Sequence, residues 1–122
     1  GFVYHSHYLK YFERAREEGI GVGIIKKYYK QRIHMVVRSA NLKYRLPATH
    51  GDILKVTTDC IIKKNKFLRC YHKAYNIETS ALLVDSVVDI VMINKDNNHI
   101  CFPTEFEQFF KLNWRTRGDL LW

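Results

Sequence analysis

The chain has 122 residues, of which 47% are apolar, and its formal net charge is +8 at pH 7. This length supports one domain with a real core, and no run of apolar residues is long enough to span a membrane. The excess of positive charge indicates a polyanionic partner, such as a nucleic acid, a phosphate-bearing cofactor or an acidic carrier protein.

The first predicted element is an amphipathic helix over residues 6–18. Tyr8, Phe12 and Ala15 recur at helical spacing and form an apolar stripe, with charged side chains on the opposite side. Gly19 is expected to follow the last turn, a position that favours glycine. The GIGVG stretch at residues 19–23 is predicted to be a flexible exit, and the GIIKKYYKQ segment a short helix or turn.

Residues 33–94 alternate apolar and polar side chains, which predicts long antiparallel strands. In the first strand, Val36, Ala40, Leu42 and Tyr44 are predicted to share one face. The next two strands are predicted to form a hairpin around the KKNK turn, because the alternation resumes directly after it.

The longest predicted strand is SALLVDSVVDIVMIN, with an apolar face and with Asp85 and Asp89 on a solvated or subunit-facing side. A short strand and a helix started by Pro103 and Thr104 follow. No linker or repeat divides the chain, so residues 1–122 are predicted to form a single domain. The element order favours an α+β architecture, with a long curved antiparallel sheet wrapped around one central helix.

Three cysteines, Cys60, Cys70 and Cys101, are odd in number and lack CxxC spacing. This pattern is typical of reduced, packed thiols, and it predicts a cytoplasmic protein.

Two blocks of the sequence resemble one family. GFVYHSHYLKYFERARE resembles the Gly–(apolar)₂–Tyr–His–x–x–Tyr–Leu–x–Tyr–Phe–Glu–x–Ala–Arg block of the hotdog-fold acyl-CoA thioesterases of the 4-hydroxybenzoyl-CoA thioesterase/YbgC type. LKYRLPATHGDILKV is similar to the same family's Tyr–x–x–Pro–Ala–x–x–x–Asp–x–Leu–x–Val segment. The resemblance covers nearly the whole chain and implies a hotdog fold.

The resemblance also implies residues that precede Gly1. In the family, an Asp–x–Asp–x–x–Gly arrangement ends an N-terminal strand, and its second aspartate would fall three residues before Gly1. We therefore expect that strand and that aspartate upstream of the sequence given. The aspartate would act as a general base or nucleophile on a thioester.

The candidate catalytic residues are Tyr4, His5 and Glu13. The first N–H groups of a helix lack internal partners and carry partial positive charge, so the start of this helix is suited to hold a thioester oxygen. His5 is also a candidate acid or a residue that orients the carboxylate. For Glu13 the alternative is a structural ion pair with Arg14, Arg16 or a partner subunit.

Substrate contacts are expected from Gly1, Val3, Tyr8 and Phe12 around the start of the helix. The small Gly1 would let the backbone approach the substrate closely. His5 and His7 form an HxH pair, but on a helix they point to different sides, and no second cluster follows, so no metal site is predicted.

The resemblance makes coenzyme A part of the substrate, and no separate cofactor is expected. Its phosphates would suit basic residues of the middle strands, and the predicted contacts are Arg38, Lys63, Lys64 and Arg69. The wider set from which these come also contains Lys43, Arg45, Lys66 and Lys73. Nucleic-acid binding is not favoured, because no RNP-like motif is present.

The resemblance implies hydrolysis of a short-chain or aromatic acyl-CoA to a free acid and coenzyme A. The alternative is a non-catalytic hotdog protein that binds acyl-CoA or an acyl carrier protein. A single curved sheet leaves an edge strand uncovered, so a homodimer or homotetramer is expected.

Overall fold

The computed structural model describes the backbone of residues 5–49, 51–113 and 117–121, and the side chains of residues 7–49 and 51–112. Three helices and six strands occupy these ranges. In chain order they are α1 (His5–Ile20), α2 (Val22–Lys30), β1 (His34–Tyr44), β2 (Leu54–Lys63), β3 (Phe67–Asn76), β4 (Leu82–Ile93), β5 (His99–Ile100), α3 (Thr104–Asn113) and β6 (Arg117–Leu121).

The first helix is longer than predicted. Gly19 is buried inside its last turn, and the helix ends before Gly21. The φ of Gly21 is 105°, a value that glycine adopts without strain. The N–H of Gly21 still donates to the carbonyl of Glu17, 2.9 Å away. The predicted flexible exit is therefore wrong, because only Gly21 leaves the helical conformation and α2 begins at the next residue.

The strands form one antiparallel sheet in the order β1-β4-β3-β2-β6, with β5 added to β4. The predicted β2–β3 hairpin is confirmed. Lys64 and Asn65 both have positive φ, and the N–H of Lys66 donates to the carbonyl of Lys63 at 2.9 Å. Such a turn has the twist that joins two adjacent strands directly.

One face of the sheet, called the inner face here, packs against the helices. Tyr8, Phe12 and Ala15 of α1 are buried against one half of this face, as their spacing predicted. The other half is covered by Tyr28 of α2 and Phe106 of α3. This long antiparallel sheet against α1 confirms the predicted α+β architecture.

A β-bulge at Arg38 corrects the predicted face of β1. Val37 is opposite Ile90 and Ser39 is opposite Asp89, so one extra residue stands between these pairs. The alternation of side chains therefore changes at this point. Val37, not Val36, shares the inner face with Ala40, Leu42 and Tyr44.

Cys60 and Cys70 are packed in the core, as predicted, but their predicted reduced state is wrong. Cys60 and Cys70 are directly opposite each other on β2 and β3, with Cα atoms 4.1 Å apart, and they form a disulfide. Both are buried, whereas Cys101 is an exposed free thiol. The cytoplasmic location, which rested on reduced thiols, stays a prediction.

The C-terminal strand β6 was not predicted. It pairs antiparallel with β2, with Leu120 opposite Val56. Across the described ranges, none of the helices has the length and apolar character needed to cross a membrane.

Candidate functional site

The start of α1 is the first part of the candidate site. The helix begins at His5, and its first turn contains no acidic side chain that would neutralise the partial positive charge of the free N–H groups. Predicted residues Gly1, Val3 and Tyr4, and the side chain of His5, lie outside the described residues. Their roles stay predictions.

Tyr8 and Phe12 are core residues in this chain. Tyr8 is 2% exposed and Phe12 is fully buried. The ring of Tyr8 lies 6.0 Å from that of Tyr44, at the C-terminal end of β1. This contact places the start of α1 at the end of the sheet where β1 finishes. Contacts of Tyr8 and Phe12 with substrate stay predictions.

Glu13 is exposed and lines a cavity of about 100 Å³ between α1, α2 and β1. It is eight residues after His5, which corresponds to about 12 Å along a helix axis. A thioester held at the start of α1 is therefore beyond the hydrogen-bonding distance of Glu13 in the same chain. The cavity is lined by Glu13, Arg16, Glu17, Ile20, Ile25, Met35, Val37 and Ile90.

Arg16 lies in the same cavity and is 7% exposed. Its Nη1 donates to Nε2 of the buried His72, 3.0 Å away. A guanidinium can only donate, so Nδ1 of His72 carries the proton and donates to the hydroxyl of Thr58 at 2.8 Å. Burial lowers the pKa of Arg16, and the nearby carboxylates of Glu13 and Glu17 oppose this shift.

The imidazole of His72 is neutral in the folded chain. Burial, and then the neighbouring positive charge of Arg16, lower its pKa to about 2. Its ring also stacks on that of Phe12, with centroids 4.8 Å apart. His72 was not predicted as a site residue from the sequence. The available signal was that it alternates with the apolar residues Cys70 and Ala74 along β3.

Two of the predicted coenzyme A contacts, Arg38 and Arg69, lie on the outer face of the sheet, opposite α1. Arg69 donates twice to Asp89, at 2.8 and 3.0 Å, and Arg38 lies 3.6 Å from the same carboxylate. Both guanidinium groups also lie over the ring of Phe67. The bonds from Arg69 hold the pKa of Asp89 below its usual value. Asp89 is 6% exposed, so the solvated alternative is wrong for this residue, and the subunit-facing alternative stays a prediction.

The other two predicted contacts, Lys63 and Lys64, lie at the β2–β3 turn. The carbonyl of Asn65 in this turn accepts a hydrogen bond from the N–H of Phe102, which packs with Phe106 of α3. The turn is therefore at the end of the sheet that α3 covers, away from the start of α1. No group of three or more His, Cys, Asp or Glu side chains able to hold a metal is present in the described part of the chain.

The sequence model of one protein family, the thioesterase-like superfamily, matches residues 1–111 of this chain. The chain belongs to this superfamily. It is 30% identical over 89 residues to an acyl-CoA thioesterase YbgC of Helicobacter pylori, covering 67% of this chain and 61% of that protein. It thus spans less than two thirds of this relative's length. An acyl-CoA thioester hydrolase YbgC of Escherichia coli is 28% identical over 96 residues, covering 77% of this chain and 71% of that one.

Solved structures show the fold. A 1,4-dihydroxy-2-naphthoyl-CoA thioesterase from Synechocystis has a TM-score of 0.80 at 17% identity, covering 91% of this chain and 84% of that chain. A Staphylococcus aureus protein solved in complex with CoA has a TM-score of 0.78 at 16% identity, covering 99% and 78%. These likenesses confirm the hotdog fold that the resemblance implied.

Proposed function

We propose that this protein hydrolyses acyl-CoA thioesters, converting an acyl-CoA and water to a carboxylic acid and coenzyme A. The observation that carries the proposal is the superfamily match over residues 1–111. It includes a helix that begins at His5 without an acidic side chain in its first turn. The names of the YbgC relatives and the S. aureus complex with CoA support the same substrate class.

In the proposed mechanism, the free N–H groups at the start of α1 donate hydrogen bonds to the thioester oxygen and stabilise the negative charge that develops on it. Each such donor is worth about 3 kcal/mol of transition-state stabilisation in other enzymes. The expected aspartate three residues before Gly1 activates the attacking water or attacks the carbonyl carbon itself. His5 orients that carboxylate, and Gly1 and Val3 line the approach of the thioester.

Glu13 is the second candidate carboxylate. Because about 12 Å of helix separates it from His5, Glu13 is within reach only of a thioester bound in its own cavity, and not of one at the start of the same helix. The variant Glu13→Gln distinguishes these sites. Retained turnover supports chemistry at the start of α1, whereas loss of turnover in a folded variant would move it to the Glu13 cavity.

We also propose that two copies of the chain pair along β1. Within the described residues, β1 pairs only with β4, and its residues 37–41 are exposed. Unpaired N–H and C=O groups on such an edge are a template for another strand. Met35 and Val37 of β1 line the Glu13 cavity, so a second chain on this edge would help to close it. Light scattering after size exclusion should give a homodimer or homotetramer, and a monomeric mass at micromolar concentration would contradict this.

The decisive experiment measures thiol release from a panel of short-chain and aromatic acyl-CoAs and an acylated carrier protein. It uses the full-length protein, and a variant in which the aspartate expected from the resemblance is changed to alanine. We expect turnover that the substitution removes. Unchanged turnover would refute the proposed base. Tight binding of acyl-CoA without thiol release would favour the non-catalytic alternative.

A further inference from the structure

A groove on the outer face of the sheet is not used by the proposed chemistry. Its volume is about 230 Å³. Lys43 of β1 and Lys73 of β3 are each directly opposite Asp85 of β4, so the three side chains form a row across the sheet. We call this the outer groove, and its outward-facing members are Asn41, Lys43, Tyr71, Lys73, Asp85 and Val87.

The outer groove is positively charged. Asp85 already accepts a hydrogen bond from Arg45, 3.2 Å away. Neither Lys43 nor Lys73 has an ion pair within the described residues. Three cations therefore surround one carboxylate, and two ammonium groups are available to an anion. Lysine ammonium groups bind phosphate oxygens through charge-assisted hydrogen bonds.

The same groove has an apolar surface suited to a flat ring. Tyr71 is 41% exposed and Val87 is 36% exposed, on neighbouring strands and directly opposite each other. An aromatic side chain that is open to solvent stacks on nucleobases of any type. The groove thus combines the two features that recognise a phosphorylated nucleoside.

The position of the groove relates it to the start of α1. Lys43 immediately precedes Tyr44, whose ring lies 6.0 Å from that of Tyr8 in the first turns of the helix. The groove and the free N–H groups of α1 are therefore at the same end of the sheet, on opposite faces. The lysines of the β2–β3 turn are at the other end, beside Phe102.

We propose that the outer groove binds the 3′-phosphoadenosine end of coenzyme A. Lys43 and Lys73 contact its phosphates, and the purine stacks on Tyr71. This inference rests on the proposed function, since the thioester at the other end of the same substrate then reaches the start of α1 around the end of the sheet. It assigns the phosphate contacts to residues other than the four that the sequence favoured.

The test compares three double variants of equal charge loss. Lys43→Met/Lys73→Met alters the groove, Lys63→Met/Lys64→Met alters the β2–β3 turn, and Lys26→Met/Lys30→Met alters exposed lysines of α2 as the control. We expect the groove variant to raise KM for acyl-CoA about tenfold with kcat unchanged, as expected for the loss of charged hydrogen bonds. The control should keep the KM of the wild type.

Removal of the 3′-phosphate from the ligand sharpens the test. Dephospho-CoA should inhibit the wild type more weakly than CoA does. The groove variant should be inhibited equally by the two ligands. Asp85→Asn removes the one negative charge of the groove, so it should tighten CoA binding. A KM increase in the turn variant in place of the groove variant would overturn the proposal, as would unchanged KM in both.

Titration calorimetry with adenosine 3′,5′-bisphosphate tests the assignment of the outer groove separately from the proposed hydrolysis of acyl-CoA. If no acyl-CoA is hydrolysed but this ligand binds and the groove variant loses it, the proposed function fails and the groove assignment stands. If hydrolysis is normal and the ligand binds both proteins equally, only the groove assignment fails. An effect of the groove variant confined to an acylated carrier protein would make the groove a protein-docking surface and overturn the proposal.

Discussion

An arginine lies against each face of the sheet, and the two arginines differ in the hydrogen-bond acceptor that they meet there. On the inner face, Arg16 donates to the uncharged imidazole of His72, which is fully buried against Phe12. On the outer face, Arg69 makes a bidentate pair with the carboxylate of Asp89. The inner pair has one charge and the outer pair has two.

The difference follows from access to water. Desolvation keeps His72 neutral, and the positive charge of Arg16 adds to this effect. The outer arginine side chain is 34% exposed, so water still stabilises its charge and the carboxylate stays ionised. Polar groups on the inner face should therefore affect the free energy of unfolding through packing and through their protonation state. Those on the outer face should affect it through ion pairs that water and salt weaken.

The largest expected effect is on the inner face. Phe12→Ala removes a fully buried ring that stacks on His72, and should lower the free energy of unfolding by about 3–5 kcal/mol. Urea unfolding followed by circular dichroism measures this change. The partly exposed Leu9→Ala on the same helix serves as a control and should change stability much less. Equal losses in the two variants would contradict the packing role of Phe12.

Acidification should weaken the inner face next. The unfolded chain protonates His72 near pH 6.5, whereas the folded chain leaves it neutral because its pKa is lowered to about 2. Stability contributed by His72 is thus present above pH 6.5 and falls on acidification, by up to about 1.4 kcal/mol per pH unit.

Urea unfolding at pH 7, 6 and 5 measures this slope, and His72→Gln should flatten it because glutamine does not titrate. Asp89 does not interfere in this range, because its pKa lies below its usual value of 3.8. The same slope in the variant and the wild type would show that another group takes up the proton.

The smallest expected effect is on the outer face. Asp89→Asn removes one charge of the pair with Arg69, and should cost less than half of what Phe12→Ala costs, because the guanidinium still reaches water. The difference from the wild type should shrink further in 1 M NaCl, which screens exposed charges. A loss as large as that of Phe12→Ala, unchanged by salt, would show that this pair behaves as a buried one.

Local patterns in the sequence were enough for most of the fold. The spacing of Tyr8, Phe12 and Ala15 predicted α1 because helical periodicity repeats within a few residues. The β2–β3 hairpin was predicted for the same reason, since its turn and its two strands are adjacent in the chain. The bulge at Arg38 was not, because one inserted residue leaves the alternation on either side intact.

The features that were not predicted depend on contacts between residues that are distant in the sequence. Arg16 and His72 are 56 residues apart, and neither residue alone shows that they form a buried pair. The bond between Cys60 and Cys70 requires the register of two strands, which cysteine spacing does not contain. In the same way, counts of lysine and arginine indicated an anionic partner but could not show that Lys43 and Lys73 are on either side of Asp85.

The bulge at Arg38 has a consequence for the proposed pairing of two copies along β1. It divides the side of β1 that faces no other described strand into two runs whose hydrogen-bonding groups are offset by one residue. A straight partner strand can follow one run only, and the longer one, residues 39–44, extends about 20 Å at 3.3 Å per residue. The bulge therefore limits the length over which a strand of a second subunit can pair with β1 without interruption. It also disfavours open-ended aggregation through this edge.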